Sequence, residues 1–199
     1  MNEELIRDTY LTRNKVKTLK HVEEVAETAA WLAGIHKLDI QKARTAALLH
    51  DISAVMSPLE MYETAVERGM PIDPAEEKYH FLLHQRISRI IAEEQFGIRD
   101  EDILSAVECH TTLKQNAGPY DQLVFIADKI SWDQEGVPPY YEELKKMAEE
   151  SLEEACFFYI RYQFENKLLL MPHRWISEAY EDLKKNRGLI IAELNGPMI

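Results

Sequence analysis

Apolar residues in the first half of the chain recur at intervals of three and four, and no stretch alternates in the way a half-buried strand does. Val22, Val25, Ala26, Ala29, Leu32 and Ala33 form one such stripe, with Gly34 as its expected end. A second helix is expected to start near Asp39 and to run through Ala43, Ala46, Ala47 and Leu48 to His50-Asp51. Ser57-Pro58-Leu59-Glu60 and Asp73-Pro74-Ala75-Glu76 each place a capping side chain, Pro at the first helical position and Glu at the third, which is a helix-start signal. Gly69 and Gly97 are the expected stops of the two helices so opened. Further helices are marked by Ile103, Ala106, Val107 and His110, and by Leu123, Val124, Ala127 and Ile130, with loops at 116–120 and 133–139. After Pro138-Pro139 one long packing helix is expected from about Tyr140 to Leu170, and a last helix from about Arg174 carries Trp175, Ala179 and Leu183. With no internal repeat, the expectation is an all-α, single-domain helical bundle over 1–199: a motif-bearing core at about 16–131 and packing helices at about 140–187.

Charge narrows the function. The 35 acidic residues against 23 basic ones give a formal charge of −12, so the surface repels phosphate backbones and general nucleic-acid binding is not expected. A small phosphorylated substrate remains compatible where the pocket supplies its own positive charge, and bound divalent metals are the usual way to do so. The start MNEELIRDTY is charged from its third residue, and no stretch approaches the ~18 apolar residues of a membrane span. A cytoplasmic protein without membrane contact is the expectation. Cys109 and Cys156 are too few for a disulfide framework and lack paired zinc-site spacing, so they read as reduced core residues.

Histidines and aspartates near helix ends carry the chemistry: His21, His50, Asp51, His80, His84, His110 and Asp128. Imidazole with carboxylate suits Fe, Mn, Co or Zn, and the absence of nearby thiolates argues against a structural zinc knuckle. Consecutive helical residues point about 100° apart, so His50 and Asp51 either flank one metal or let the carboxylate bridge two. In the two-metal arrangement His21, His50, Asp51 and Asp128 hold one ion, and His84, His110 and Asp51 hold the other. Two such ions hold a hydroxide between them and clamp phosphate oxygens for in-line displacement.

Five segments then carry a resemblance: Lys20-His21-Val22, AALLHDI at 46–52, FLLH at 81–84, ECHTT at 108–112 and FIADKI at 125–130. In this order they resemble the HD-superfamily hydrolases of the YqeK-like branch, over roughly residues 16–185. The resemblance implies a helical HD fold and a di-iron centre that cuts diadenosine tetraphosphate symmetrically into two ADP. It implies the ligands His21, His50, Asp51, His84, His110 and Asp128, with Asp51 and His84 closest to the chemistry. Three departures concern the substrate side. Ala54 stands where many of these enzymes have a phosphate-holding Lys three residues after the Asp. Gln85, Arg86, Ser88 and Thr112 replace small residues, and the chain reads ADKISWDQ, with Ser131, Trp132 and Gln134, where the family reads ADKIEP followed by Arg.

A single histidine is more often a helix-end residue bonded to a carbonyl than a ligand, and only the order and spacing of the set overturn that reading. His80 shares a face with His84 and is either an outer donor or an alternative ligand; the motif favours His84. His36 and His173 read as surface or helix-end residues without a role. Lys129 and Arg86 are candidates for binding substrate phosphate, Arg86 by replacing the charge missing at Ala54, although a Lys beside an Asp is more often solvated. Trp132 is a candidate for stacking on a nucleobase. The aromatic cluster Phe157 to Phe164 reads as core or as a homodimer contact. The leading expectation is a metal-dependent phosphohydrolase acting on a nucleotide. The alternatives are a hydrolase of another phosphorylated small molecule, a nucleotide-binding sensor or scaffold with little catalysis, and a helical interaction protein with a vestigial site.

Overall fold

The computed structural model describes residues 3–132 and 134–194, with 188–194 described by backbone alone. Among the described residues there are eleven α-helices and two 3₁₀ turns and no strand, as the three-and-four spacing requires. The order is α1 (Glu3–Thr12), α2 (Val16–His36), α3 (Ile40–Leu49), a 3₁₀ turn (Ile52–Val55), α4 (Pro58–Glu67), α5 (Pro74–Lys78), a second 3₁₀ turn (His80–Leu83) and α6 (His84–Glu94). Then come α7 (Glu101–Cys109), α8 (Pro119–Ile130), α9 (Tyr141–Glu150), α10 (Leu152–Glu165) and α11 (Arg174–Leu194). No helix among the described residues is long and apolar enough to cross a membrane.

α2 is the central rod. Its stripe is buried as expected and packs against α3 and α8. Much of the contact is small: Ala26, Ala29 and Ala33 on α2, with Ala43, Ala46 and Ala47 on α3, are fully buried and let the two axes approach closely. Larger side chains such as Leu32, Leu49, Leu104 and Phe125 fill the space around them, each contributing roughly 1.5–3 kcal/mol by leaving water. α7 packs on α3, α6 and α8, so the carboxyl ends of α3 and α7 and the first residue of α6 meet beside α2. Cys109 and Cys156 are buried free thiols.

Three local expectations need correction. α2 does not stop at Gly34 but runs to His36, because Lys37 takes the left-handed conformation (φ 57°) and its N–H returns to Ala33 O. Both capping boxes form, yet the one at Asp73 opens only the short α5. Gly97, at φ 67°, follows α6 instead. The expected single helix from 140 to 170 is two, since Ser151 is extended (φ −157°) and caps α10 by accepting from Glu154 N. The aromatic cluster at 157–164 faces inward, with Phe157 stacked on Tyr180 at 5.6 Å, so of its two readings the core is the one observed.

Candidate metal centre

Three of the histidines stand where a helix or turn ends. His50 caps α3, His110 caps α7, and His84 closes the 3₁₀ turn and begins α6. In each, Nδ1 lies against the carbonyl three residues back: His50 to Ala47 O at 2.6 Å, His84 to Phe81 O at 2.7 Å and His110 to Val107 O at 2.8 Å. A carbonyl only accepts, so each Nδ1 carries the hydrogen and each Nε2 presents a lone pair. The bonds also satisfy carbonyls left open by the ends of the helices and the turn.

The rings form a row. Centroids of His21 and His50 are 5.4 Å apart, His50 and His110 4.6 Å, and His110 and His84 4.8 Å. Asp51 lies along this row with its two oxygens turned to different neighbours. Oδ2 is 3.7 Å from His50 Nε2, while Oδ1 is 3.4 Å from His110 Nε2 and 3.5 Å from His84 Nε2. Asp128, in the last turn of α8, places Oδ1 3.0 Å from His21 Nε2 and 3.7 Å from His50 Nε2. Among the described residues, His21, His50 and Asp51 form one group whose atoms could share an ion, and Asp51, His84 and His110 form another. Asp51 belongs to both. His50 and His110 are buried, whereas the Asp51 and His84 side chains keep 25% and 21% of their surface, so the row opens to solvent on that side.

The donor set fits a divalent cation. His84 Nε2 and His110 Nε2, both lone-pair atoms by the argument above, face each other at 2.9 Å. His50 Nε2 is buried without a hydrogen-bond partner and faces carboxylate oxygens. Lone pairs directed at lone pairs repel unless a proton or a metal stands between them, and a proton is disfavoured at His110, whose burial pushes its pKa down to about 4 against the pull of Asp51. For Asp51, burial works to raise the pKa, but at the acid pH where a carboxyl titrates the protonated rings of His50, His110 and His84 outweigh it and hold the carboxyl far below its usual range. Asp128 behaves alike: burial raises it, and Lys129, His21 and His50 more than reverse the effect. Both carboxylates are therefore ionised and both act as acceptors at neutral pH.

The other named residues are distributed unevenly. Lys129 is at the row, with Nζ 2.5 Å from Asp128 Oδ2 and 3.4 Å from His110 O, so its charge is neither solvated nor free. Asp128 is thus paired within the chain. Arg86 is not at the row: two residues beyond His84, it points about 200° around α6. It binds Glu76 Oε2 and Pro71 O, both at 2.8 Å, and lies over Trp175 at 5.8 Å. The expectation that it replaces the charge missing at Ala54 is corrected, because a buried carboxylate, Glu76, has claimed it. His80 precedes α6 instead of sharing its face with His84, and its ring stacks on Tyr62 at 4.0 Å. His36 bonds Ala148 O at 2.6 Å; His173 is buried at the start of α11, not on the surface. Trp132 stands just past α8, 39% exposed, with its ring edge-on to Tyr140 at 6.5 Å.

Two residues beside the row escaped the sequence reading as contacts. The Thr111 hydroxyl is 2.9 Å from His84 Nε2. Gln85 is fully buried and ties the two histidine-bearing segments together: its Oε1 accepts from Thr111 N at 3.1 Å and Thr112 N at 3.3 Å, and its Nε2 donates to Thr112 Oγ1 at 3.0 Å. Their signal was adjacency to a ligand motif, and for Gln85 also a position where a bulkier polar residue replaces a small one.

Comparison with known proteins agrees with this geometry. Residues 18–133 match the HD domain family. A Lactococcus lactis subsp. cremoris protein, described as an uncharacterized protein in the pepC 5' region, is 40% identical over 72% of this chain and 73% of its own length. The Staphylococcus aureus enzyme named bis(5'-nucleosyl)-tetraphosphatase, symmetrical, is 34% identical; the match covers 57% of this chain and 58% of that enzyme, less than two thirds of its length. A crystal structure from Clostridium acetobutylicum, of an HD superfamily hydrolase described as involved in NAD metabolism, superposes with a TM-score of 0.84 at 30% identity, covering 94% of this chain and 98% of that one. With the motif histidines and aspartates gathered along one row and the family match spanning more than half its length, the chain belongs to the HD domain family and is one of its hydrolases.

Proposed function

We propose that the chain is a metal-dependent phosphohydrolase of dinucleoside polyphosphates that cuts diadenosine tetraphosphate symmetrically into two ADP. The observation that carries this reading is the division of Asp51, one oxygen towards His50 and the other towards His84 and His110. His21, His50, Asp51 and Asp128 would hold one cation, and Asp51, His84 and His110 a second; the mixed nitrogen and oxygen donors suit Fe, Mn, Co or Zn, with iron the choice implied by the resemblance. Divalent cations bound there supply positive charge that neutralises phosphate oxygens and makes a water molecule more acidic. Around them the chain's own groups orient and shield. Thr111 offers a hydroxyl beside His84, and Lys129 holds a fixed positive charge against Asp128 at the edge of the row. The identity of the staphylococcal enzyme supports the substrate class.

The test is direct. Iron- or manganese-loaded protein incubated with diadenosine tetraphosphate is expected to yield ADP as the sole nucleotide product by ion-exchange chromatography. AMP with ATP would mean an asymmetric cut, and no turnover on any of a panel of nucleotides would remove the hydrolase reading. A second reading, a nucleotide-binding sensor with little catalysis, is favoured by one observation. With Ala54 in place of Lys and Arg86 bound to Glu76, neither position offers substrate a free cation. Tight nucleotide binding without turnover would select it.

A further inference from the structure

The groove between α2 and α8 continues past the ligand row. Beyond His21 on α2 come Glu24 and, two turns on, Thr28; beyond Asp128, past the end of α8, come Ser131 and Trp132. Thr28 Oγ1 and Ser131 Oγ are 2.8 Å apart, so the two segments stay in contact here. They border a cavity of about 500 Å³ walled by Trp132, Val137, Pro138 and Tyr141. That volume falls in the range of small-ligand sites.

The lining selects what enters. Among the described residues around the cavity there is no Lys or Arg, while the carboxylates of Glu24 and Glu27 reach it, so a phosphate group is repelled. Thr28 donates its hydroxyl hydrogen to Glu24 O at 3.1 Å, which makes Ser131 the donor to Thr28, so neither hydroxyl has a hydrogen left for a ligand. Glu27 is taken by Arg44 at 2.6 Å. Glu24 has only an exposed contact to Lys20 at 3.4 Å, a pair worth little in water. A neutral, flat group with N–H donors matches a large indole face beside a weakly paired carboxylate.

We infer that this cavity is a nucleobase subsite: a purine bearing an exocyclic amino group stacks on Trp132 and directs its amino hydrogens to Glu24. The seven residues from His21 to Thr28 span about 10 Å of helix, a separation bridged by the ribose and phosphates of a nucleotide whose phosphates lie at the row. The inference rests on the dinucleoside polyphosphate reading above and adds to it the residues that choose the base.

The experiment has two arms. In the metal-loaded Trp31→Phe/Trp175→Phe protein, Trp132 is the sole indole of the three in the chain, and its emission is expected to fall saturably as ADP is added. Trp132→Ala is expected to raise KM for diadenosine tetraphosphate about tenfold, the scale of one lost base stack, while kcat changes little and Trp132→Phe restores most of the loss. Glu24→Leu is expected to raise KM for the adenine substrate but not for its hypoxanthine counterpart, which lacks the amino group. No quenching by ADP, or an unchanged KM in Trp132→Ala, overturns the subsite. Should the parent protein not cleave diadenosine tetraphosphate, the proposed function fails instead, and the ADP titration still decides the subsite by itself.

Discussion

Two buried polar clusters in this molecule use the same residue types and are wired in opposite ways. Around Asp51, acceptors face acceptors: three Nε2 lone pairs and two carboxylates converge. Around Glu76, donors face acceptors. The Glu76 carboxylate is fully buried, and its Oε2 accepts from Asp73 N at 2.9 Å and Arg86 Nη1 at 2.8 Å. His173 Nδ1 accepts from Trp175 N at 3.0 Å, which puts the ring hydrogen on Nε2, directed at Glu76 Oε1 across a longer 3.5 Å. The second cluster pairs its buried charge within the chain through Arg86 and pins the start of α11 to α5 and α6, although Glu76 Oε1 and His173 Nε2 face each other without a hydrogen bond. In the first, Lys129 and Thr111 reach Asp128 and His84, yet His50 Nε2 has no hydrogen-bond partner and His110 Nε2 still faces His84 Nε2. Buried histidine and carboxylate therefore do not by themselves mark a functional site; the direction of the hydrogens does.

If that contrast holds, variants in the two clusters should fail differently. The largest effect is expected for Asp51→Asn, which weakens both halves of the row at once. A bound metal contributes several kcal/mol to the transition state, so turnover should fall about a thousandfold or more, while the urea midpoint stays level or rises. Loss of fold in this variant would erase the distinction. Arg86→Met should do the reverse. Removing one partner of a buried pair costs about 3–5 kcal/mol, readable in urea unfolding, with metal stoichiometry by atomic absorption unchanged. Addition of Mn²⁺ at a hundred times its Kd should stabilise the parent protein by about 2.7 kcal/mol, an increment absent from Asp51→Asn and retained in Arg86→Met. Gln85→Ala, which loosens the tie between the His84 and His110 segments, should lower metal affinity about tenfold in a calorimetric titration.

The smallest effect concerns acid. Burial raises the Glu76 pKa, but His173, Asp73 N–H and Arg86 together bring it below its ordinary 4.5. Its stabilising contribution is therefore complete above pH 4.5 and disappears as the pH falls through the lower folded-state value. With the Arg86 contact gone, the Arg86→Met protein should lose stability less steeply below pH 4.5 than the parent. Parallel slopes would mean that Glu76 and Arg86 are not coupled.

What the sequence disclosed follows from how local each signal is. The ligand motifs were legible because His50, His84 and His110 occupy helix or turn ends, where the periodic stripe stops and the motif begins, whereas His21 lies inside α2. Their convergence at Asp51 came from the order of five segments and not from any single one. The break between α9 and α10 was written in Ser151-Leu152-Glu153-Glu154, a capping pattern masked by the long apolar run around it. Arg86 could not be placed in this way. Its partner Glu76 lies on another helix and is held in turn by His173, 97 residues further along, so proximity to His84 in sequence suggested a role that proximity in space gave to a different cluster. Lys37 likewise has no side-chain signature for its left-handed turn, and Gly34 was the more obvious stop.

The bonds from His50 and His110 to carbonyls three residues back mean that each ring takes its aim from the last turn of its own helix. A helix advances about 100° per residue. Deleting one residue within α3 or α7 would swing the imidazole by that angle and part it from Asp51, even where the bundle re-forms around the shorter rod. The centre thus works as a gauge of helix length: insertions are tolerable in the loops that join these helices, and intolerable inside the helices themselves.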